Sequence, residues 1–178
     1  MSALDGEANV LGALALVLTD QTAAAAATAG QSLTAAAALS ALHHFLDRPT
    51  VDRLRRVLGL TPSGTVRLVD RLVEAGLVTR GPGADGRSRS ILLTPRGRRA
   101  AARISAARAD LLTGALDGLS RRDREALGDL LGRVMANVVR DKDGGAWICR
   151  LCDLGACGRD AGRCPTANAA AAKYGDPQ

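Results

Sequence analysis

The chain has 178 residues and a formal net charge of +6, and its length bounds it to one domain, or one domain with an appendage. Phe45, Trp147 and Tyr174 are its only aromatic residues, so a core must consist mainly of Ala, Leu, Val and Ile side chains. This composition favours helices over a β-sandwich or β-barrel. Hydrophobic residues make up 47% of the chain and charged residues 24%, which excludes global disorder.

The basic charge is concentrated in the middle of the chain. From Asp47 to Arg108 there are 14 Arg and Lys residues against 5 Asp and Glu, a net charge of +9, so the remainder carries −3. This distribution indicates a polyanionic partner, although a solvated basic surface would have the same composition.

The sequence does not predict a membrane span or an export signal. No run of apolar residues approaches the roughly 20 that a span needs. The longest, Val10–Leu18, follows Asp5 and Glu7, whereas a secretory signal begins with basic residues. We therefore expect a cytoplasmic protein, in which thiols remain reduced.

Two helices are predicted before the basic segment. Leu4–Ala29 is rich in Ala and Leu and is expected to form a long, largely buried helix. Ser32–Asp47 is expected to form a second helix, which ends because Pro49 restricts the residue before it. His43 and His44, near the end of this helix, are expected to be hydrogen-bonded or solvent-facing rather than metal ligands.

A helix-turn-helix is predicted next. Thr50–Leu58 is expected to form a short helix with Thr50 as its N-cap and Gly59 as its stop. Thr61 caps the following helix, Pro62–Ala75, in which proline occupies the first position. Two helices separated by a tight glycine turn have the geometry of a helix-turn-helix.

One face of the helix Pro62–Ala75 is suited to the major groove of DNA. Its buried face is expected to comprise Leu68, Val69, Leu72 and Val73. The opposite face begins with small residues, and Arg67 and Arg71 follow one turn apart. Small residues let a helix N-terminus approach phosphates, and Arg can bind guanine O6 and N7. An ordinary amphipathic helix with solvated arginines is the alternative.

A β-hairpin is predicted after this helix. Leu77–Arg80 and Ser90–Leu93 are strand candidates on either side of a glycine-rich loop. Arg87 and Arg89 alternate with serines, so both are expected to project from one side, toward a minor groove or phosphates. Asp85 could hold the Arg87 guanidinium by a charge-assisted hydrogen bond.

Two further helices are predicted after the hairpin. Thr94 caps a long helix, Pro95–Leu116, and Ser120 caps another that runs to about Arg140. The last residues, Thr166–Gln178, form an alanine-rich tail of uncertain order.

The segment from Ser32 to Ala101 resembles the MarR family of winged helix-turn-helix regulators. The resemblance is carried by TPSGTVRLVDRLVEAG over Thr61–Gly76, by the LVTR that follows, and by DGRSRSILLTPRG. It implies a mainly α fold with a two-stranded β wing and long N- and C-terminal dimerisation helices. It also implies a cytoplasmic homodimer that binds pseudo-palindromic operators and often releases them on binding a ligand or on oxidation.

The resemblance, together with a cysteine-bearing extension that is not a general feature of the family, divides the chain into functional regions. We expect a dimerisation helix over 1–31, a winged helix-turn-helix over 32–94, dimerisation helices over 95–141, a cysteine segment over 147–165 and a tail over 166–178. The residues expected to bind DNA are Ser63, Gly64, Thr65, Arg67, Arg71, Asp85, Arg87 and Arg89.

The cysteine segment predicts a metal site. Its thiols fall within 16 residues at the spacing C-x2-C-x4-C-x6-C, and they are Cys149, Cys152, Cys157 and Cys164. Four thiolates suit an iron–sulfur cluster or tetrahedral zinc. The cluster is favoured, because a final Cys-Pro in a glycine-rich run is typical of cluster-binding segments, although the spacings match neither ferredoxin pattern. A disulfide switch is the remaining alternative, and Trp147 is expected to pack the segment onto the last helix.

Three functions compete at this point. The first is a DNA-binding regulator, most simply a repressor, whose cluster senses redox or iron state. The second is a MarR-type regulator with a structural zinc site and a small-molecule effector. The third, an enzyme or electron carrier, is disfavoured because the C-x2-C pair lacks a βαβ context and no phosphate loop, nucleophile motif or carboxylate pair is evident.

Overall fold

We describe a computed structural model that covers residues 5–83, 88–139 and 147–175. The helices in these residues are α1 (Gly6–Thr28), α2 (Leu33–His44), α3 (Val51–Leu58), α4 (Pro62–Glu74), α5 (Pro95–Gly114), α6 (Arg121–Val138), α7 (Leu154–Cys157) and α8 (Pro165–Tyr174). The strands are β1 (Val78–Pro82) and β2 (Arg89–Leu93), and a 3-10 turn spans Arg159–Ala161. The fold is mainly helical with one two-stranded antiparallel sheet, as the sequence predicts.

The helices begin where capping residues predict. Each cap accepts a hydrogen bond from the amide three residues further on, at 3.0–3.2 Å, and the five caps are Ser32, Thr50, Thr61, Thr94 and Ser120. A capped amide would otherwise lack a partner within its own helix. The predicted starts of α3, α4, α5 and α6 are therefore confirmed.

The core is built around α2. All residues from Ala35 to Ala41 are buried, and the helix packs against α5, α1, α3 and β2. Small side chains let the neighbouring helices approach this helix closely on several sides. It ends at His44, three residues earlier than predicted, and Arg48 then adopts a positive φ of 44° before Pro49.

The wing, defined here as the hairpin β1–β2, is fixed to the core on two sides. The strands pair from Val78↔Leu93 to Pro82↔Arg89, so they are offset by a residue or two from the predicted bounds. The Ile91 amide donates to the Pro49 carbonyl at 2.9 Å, which links β2 to the segment before α3. At the base of the wing, Gly97 lies against the backbone of Leu77. A Cβ atom added to Gly97 would stand 1.9 Å from the Leu77 carbonyl oxygen.

The terminal helices are exposed, which corrects the prediction of a largely buried first helix. Ala26 is the one buried residue of α1, and Leu16 is 69% exposed. No residue of α6 is buried, and Leu130 is 54% exposed. The physical reason is that, within the described residues, α1 packs against α2 and α5 along one of its sides. Its other apolar residues therefore face outward.

By length and composition, α1 could also cross a membrane. Its most apolar window has a mean hydropathy of 1.5, and 6% of that window is buried. The uninterrupted apolar run of this helix is still no longer than Val10–Leu18, and the helix has this hydropathy because the alanine-rich stretch after Asp20 adds to that run. The signal is weak evidence, since core helices and signal sequences meet the same criterion.

The end of the chain is folded against α6. Instead of a tail of uncertain order, α8 packs along the last turns of α6, with Pro165 facing Gly132. The Lys173 ammonium donates to the carbonyls of Ala136 at 2.6 Å and Val139 at 3.0 Å. A lysine at this position satisfies carbonyl groups that a helix C-terminus leaves unpaired.

Candidate DNA-binding surface and cysteine segment

The exposed face of α4 carries four of the eight residues predicted to bind DNA. Ser63, Arg67 and Arg71 are exposed, and Gly64 is partly exposed near the N-terminus of the helix. The helix follows a turn that begins with Gly59 in the left-handed conformation, at φ 65°. The buried side of α4 packs on α3 in the common core.

Two predicted positions on α4 are corrected. Thr65 is fully buried, and its hydroxyl donates to the Thr61 carbonyl at 2.9 Å, so it supports the helix and does not reach the DNA-facing side. Val73, predicted to be buried, is 37% exposed. Val66 is exposed on the outer face instead, three residues after Ser63 and one before Arg67. The helical spacing contained this information, because 63, 66 and 67 share a face.

The wing is joined to α4 by an ion pair that the sequence analysis missed. Arg80 on β1 donates to the Asp70 carboxylate at 2.5 Å. Two opposite charges ten residues apart do not predict an ion pair from the sequence, because they meet only when the fold places β1 beside α4. The pair is half-exposed, so its effect is on the orientation of the wing more than on stability.

The outer part of the wing is positioned from the opposite side. The Pro82 carbonyl accepts hydrogen bonds from Arg48 at 3.2 Å and from the Ser90 hydroxyl at 2.9 Å. Arg89 is exposed at the start of β2, as predicted. Asp85 and Arg87 lie outside the described residues, and their roles stay predictions.

The four cysteines are free thiols that lie close enough to influence one another's ionisation. Cys149 and Cys152 share a hydrogen bond, and the Cys157 thiol donates to the Leu154 carbonyl at 3.4 Å. Cys149 and Cys164 are buried, whereas the other two are partly exposed. Trp147 is 46% exposed with the Arg150 guanidinium over its ring at 5.3 Å, so the expected packing of Trp147 on the last helix is wrong.

The thiols differ in acidity because of these contacts. The hydrogen bond with Cys149 lowers the pKa of Cys152 to about 6, against the effect of burial, and Arg108, Arg150 and Arg159 act in the same direction. The same hydrogen bond raises the pKa of Cys149, as do burial and the nearby thiols. Burial is the main cause of the raised pKa of Cys157. Cys152 is therefore the thiol best suited to be a thiolate near neutral pH.

The predicted metal site is not assembled as a single group. Within residues 5–83, 88–139 and 147–175, no three His, Cys, Asp or Glu side chains are arranged to hold a metal ion. The donor chemistry is nevertheless suitable, because four free thiols are the donors that structural zinc and iron–sulfur clusters take. A four-cysteine site stays a prediction.

The cysteine segment lies beside α2 and α5. A cleft of about 400 Å³ separates them and is lined by His44, Arg108 and Leu112 on one side and by Cys152, Asp153 and Cys157 on the other. His44 Nε2 is 2.8 Å from Ser105 Oγ, and its Nδ1 is 3.8 Å from the Asp153 carboxylate. Burial lowers the pKa of His44, and the Asp153 carboxylate partly opposes this shift.

Comparison with known proteins agrees with this architecture. The family model described as the MarR family matches residues 29–88, from the end of α1 through the helix-turn-helix to the wing. No curated protein matches the chain by sequence.

Solved structures extend the match to the terminal helices. MarR from E. coli in its apo form superposes with a TM-score of 0.63 at 19% identity, over 75% of this chain and 98% of that one. A probable transcriptional regulator from Pseudomonas aeruginosa has a TM-score of 0.53 at 28% identity, over 69% and 95%. The Mycobacterium tuberculosis MarR family protein Rv2887, in complex with p-aminosalicylic acid, superposes with a TM-score of 0.57 at 25% identity, over 71% of this chain and 95% of that one. The chain thus has the MarR winged-helix fold, and its residues 29–88 match the model of the MarR family.

Proposed function

We propose that this protein is a dimeric, sequence-specific DNA-binding regulator of transcription, a cytoplasmic repressor of the MarR type without enzymatic activity. The observation that carries the proposal is the outer face of α4, where Arg67 and Arg71 stand exposed beside a wing that Arg80 ties to the same helix. Arg89 at the start of β2 is exposed as well, so helix and wing both offer arginines to a polyanionic partner.

On this proposal α4 enters a major groove. Ser63 and Gly64 near its start let the helix N-terminus approach the phosphate backbone, which the helix dipole favours. Arg67 and Arg71 then reach base edges, where a guanidinium can bind guanine O6 and N7. The wing, with Arg89 and the predicted Asp85–Arg87 pair, contacts the adjacent phosphates or minor groove.

The dimer is proposed from the terminal helices. Apolar side chains are exposed along both α1 and α6, and exposed apolar patches mark sites of association. They include Val10, Leu14, Val17, Leu130, Leu131 and Val134. A second copy related by two-fold symmetry would cover the same surfaces on both chains. Two recognition helices would then lie about 10 base pairs apart, which calls for a pseudo-palindromic operator.

The cysteine segment is proposed as the sensor of this regulator. Cys149, Cys152, Cys157 and Cys164 would hold an iron–sulfur cluster, which supplies sensitivity to redox state and to iron supply. The support is the donor set itself, together with the Arg108, Arg150 and Arg159 charges around Cys152, which would offset thiolate charge. The segment also lies between α6 and the helices α2 and α5, where a change in it can affect both dimer and DNA-binding regions.

The second candidate is the same regulator with structural zinc and a small-molecule effector. The cleft between the cysteine segment and α5 favours it, because about 400 Å³ can hold a small organic ligand. A solved relative of this fold contains p-aminosalicylic acid. Zinc at the four thiols would then fix one wall of the cleft.

Selection from a random DNA pool tests the DNA-binding function. Wild-type protein should enrich a sequence with two inverted half-sites, while the double variant Arg67→Ala/Arg71→Ala should enrich none. The variant Arg121→Ala is a matched control, since Arg121 is exposed on α6 and pairs with Glu125. Failure of the wild-type protein to enrich any sequence would refute the proposal.

The visible spectrum of anaerobically purified protein separates the two sensors. A brown protein with broad absorption and bound iron supports the cluster. A colourless protein with one zinc per chain supports the second candidate. Protein that binds neither metal after anaerobic reconstitution with ferrous iron and sulfide, or after zinc addition, would refute both.

A further inference from the structure

The cysteine segment is attached to the rest of the protein in two unequal ways. On one side α8 continues from Cys164 and packs along α6, where Lys173 binds the carbonyls of Ala136 and Val139. On the other side a few side chains meet α2 and α5 across an open cleft. The second contact is the weaker one, so it is the one that a rearrangement of the thiols can break or remake.

His44 is at the centre of the weaker contact. It is the last residue of α2, and its side chain is 15% exposed. Its ring nitrogens face Ser105 of α5 at 2.8 Å and the Asp153 carboxylate at 3.8 Å. Asp153 directly follows Cys152 and caps α7 by accepting from the Gly155 amide at 2.9 Å. Displacement of Cys152 must therefore move the carboxylate that faces His44.

The residues after His44 lead directly to the wing. Arg48 donates to the Pro82 carbonyl of β1 at 3.2 Å. The Pro49 carbonyl accepts from the Ile91 amide of β2 at 2.9 Å, and Thr50 forms a bridge with Ser90. Because the segment from His44 to Thr50 is short and held by both strands, a shift at the end of α2 is passed to the wing.

We propose that the cysteine segment regulates DNA binding by positioning the wing, through the contact of Asp153 with His44 at the end of α2. This inference rests on the proposed role of the segment as a sensor. Asp153 and His44 act as positioning residues, and neither contacts DNA. Binding or loss of the metal rearranges the thiols, Asp153 moves with Cys152, and the wing changes its alignment relative to α4.

The variant Asp153→Asn tests the contact with little change elsewhere. Asparagine keeps the oxygen that caps α7 but loses the charge that faces His44. His44→Gln removes the imidazole and keeps a hydrogen-bonding group near Ser105. Asp160→Asn is the matched control, because Asp160 is an exposed carboxylate of the same segment and lines neither the cleft nor the His44 contact.

The first readout is hydrogen exchange at the Ile91 amide, measured on full-length protein as purified. Asp153→Asn and His44→Gln should each raise the exchange rate about two- to fivefold, the range expected for loss of one weak, partly exposed contact. The double variant should show no larger increase in the exchange rate than either single variant, because both substitutions remove the same contact. Asp160→Asn should exchange as wild type does.

The second readout is affinity for the operator selected in vitro, before and after anaerobic reconstitution with ferrous iron and sulfide. The affinity change in wild type should shrink in Asp153→Asn, with iron content unchanged. Two results would overturn the proposal that the Asp153–His44 contact positions the wing. One is a wild-type exchange rate at Ile91 in both variants, and the other is a wild-type change in operator affinity on iron reconstitution in both. If wild type itself shows no response to iron, the sensor proposal fails, while the exchange result still decides whether the contact positions the wing.

Discussion

At the scale of single residues, Arg67 and Arg71 carry the specificity in this account. Both are exposed one turn apart on α4, so each can reach a different base pair. Arg67→Ala or Arg71→Ala should cost about 1–3 kcal/mol of operator binding and relax the preference at one position. Competition titrations with single-base operator variants measure this directly. Retained affinity and preference in both variants would remove this face from the DNA interface.

Arg87 should behave differently from the two helix arginines. If it contacts a phosphate or the minor groove, Arg87→Ala should weaken binding evenly across sequences and reduce the salt dependence by about one ion. The measurement is operator affinity at several salt concentrations, for operator and random DNA in parallel. Loss confined to one base position would show that Arg87 reads sequence instead.

Cys152 should be the most reactive thiol of metal-free protein. Its pKa is lowered to about 6, so thiolate is populated above that pH and lost as the pH falls through it. Alkylation of Cys152 by iodoacetamide, followed by mass spectrometry, should therefore reach half its maximal rate near pH 6. Cys149, with a raised pKa, serves as the internal reference. Equal reactivity of the two thiols at pH 7 would contradict the assigned hydrogen bond.

The residue roles were only partly predictable from the sequence. The arginines of α4 and the caps follow from helical spacing and local hydrogen bonding, which short stretches of sequence contain. The burial of Thr65 does not follow from the sequence, because a small polar residue near the start of a helix can lie on its buried or on its exposed side. The Arg80–Asp70 and Asp153–His44 contacts join residues on different elements, so they depend on tertiary packing.

At the scale of elements, the joint between the wing and α5 depends on Gly97. A methyl group there would stand 1.9 Å from the Leu77 carbonyl oxygen, so the strand or the helix must shift. Gly97→Ala should destabilise the protein by about 1–3 kcal/mol, as overpacking does. Gly114→Ala is the control, because nothing lies within 4 Å of its added methyl group and alanine favours helix. Equal urea midpoints for the two variants would contradict the close approach.

The element order was predictable, while the surroundings of some elements were not. Caps, glycine stops and proline positions located α3 to α6 and the hairpin to within a few residues. The sequence does not predict the exposure of α1. A helix covered by a second chain has the same alanine- and leucine-rich composition as a helix buried within its own chain. The helix α8 was not foreseen either, since its packing on α6 depends on Lys173 and Pro165 meeting residues far away in sequence.

At the scale of the whole molecule, the cysteine segment lies between α6, the proposed dimer helix, and the helices α2 and α5 of the proposed DNA-binding domain. Operator affinity at one salt concentration should therefore be higher for iron-reconstituted protein than for metal-free protein. Cys152→Ser should resemble the metal-free state, with its helical content by circular dichroism nearly unchanged. Equal affinities for all three would mean that the segment does not govern DNA binding, and structural zinc would then be favoured.

Two copies of the chain should read two half-sites with paired α4 helices. Hydroxyl-radical footprinting of the selected operator tests this arrangement, with the stoichiometry determined by sedimentation. We expect two protected regions about 10 base pairs apart, related by two-fold symmetry and bound by two chains. Protection of a single half-site by one chain would contradict it.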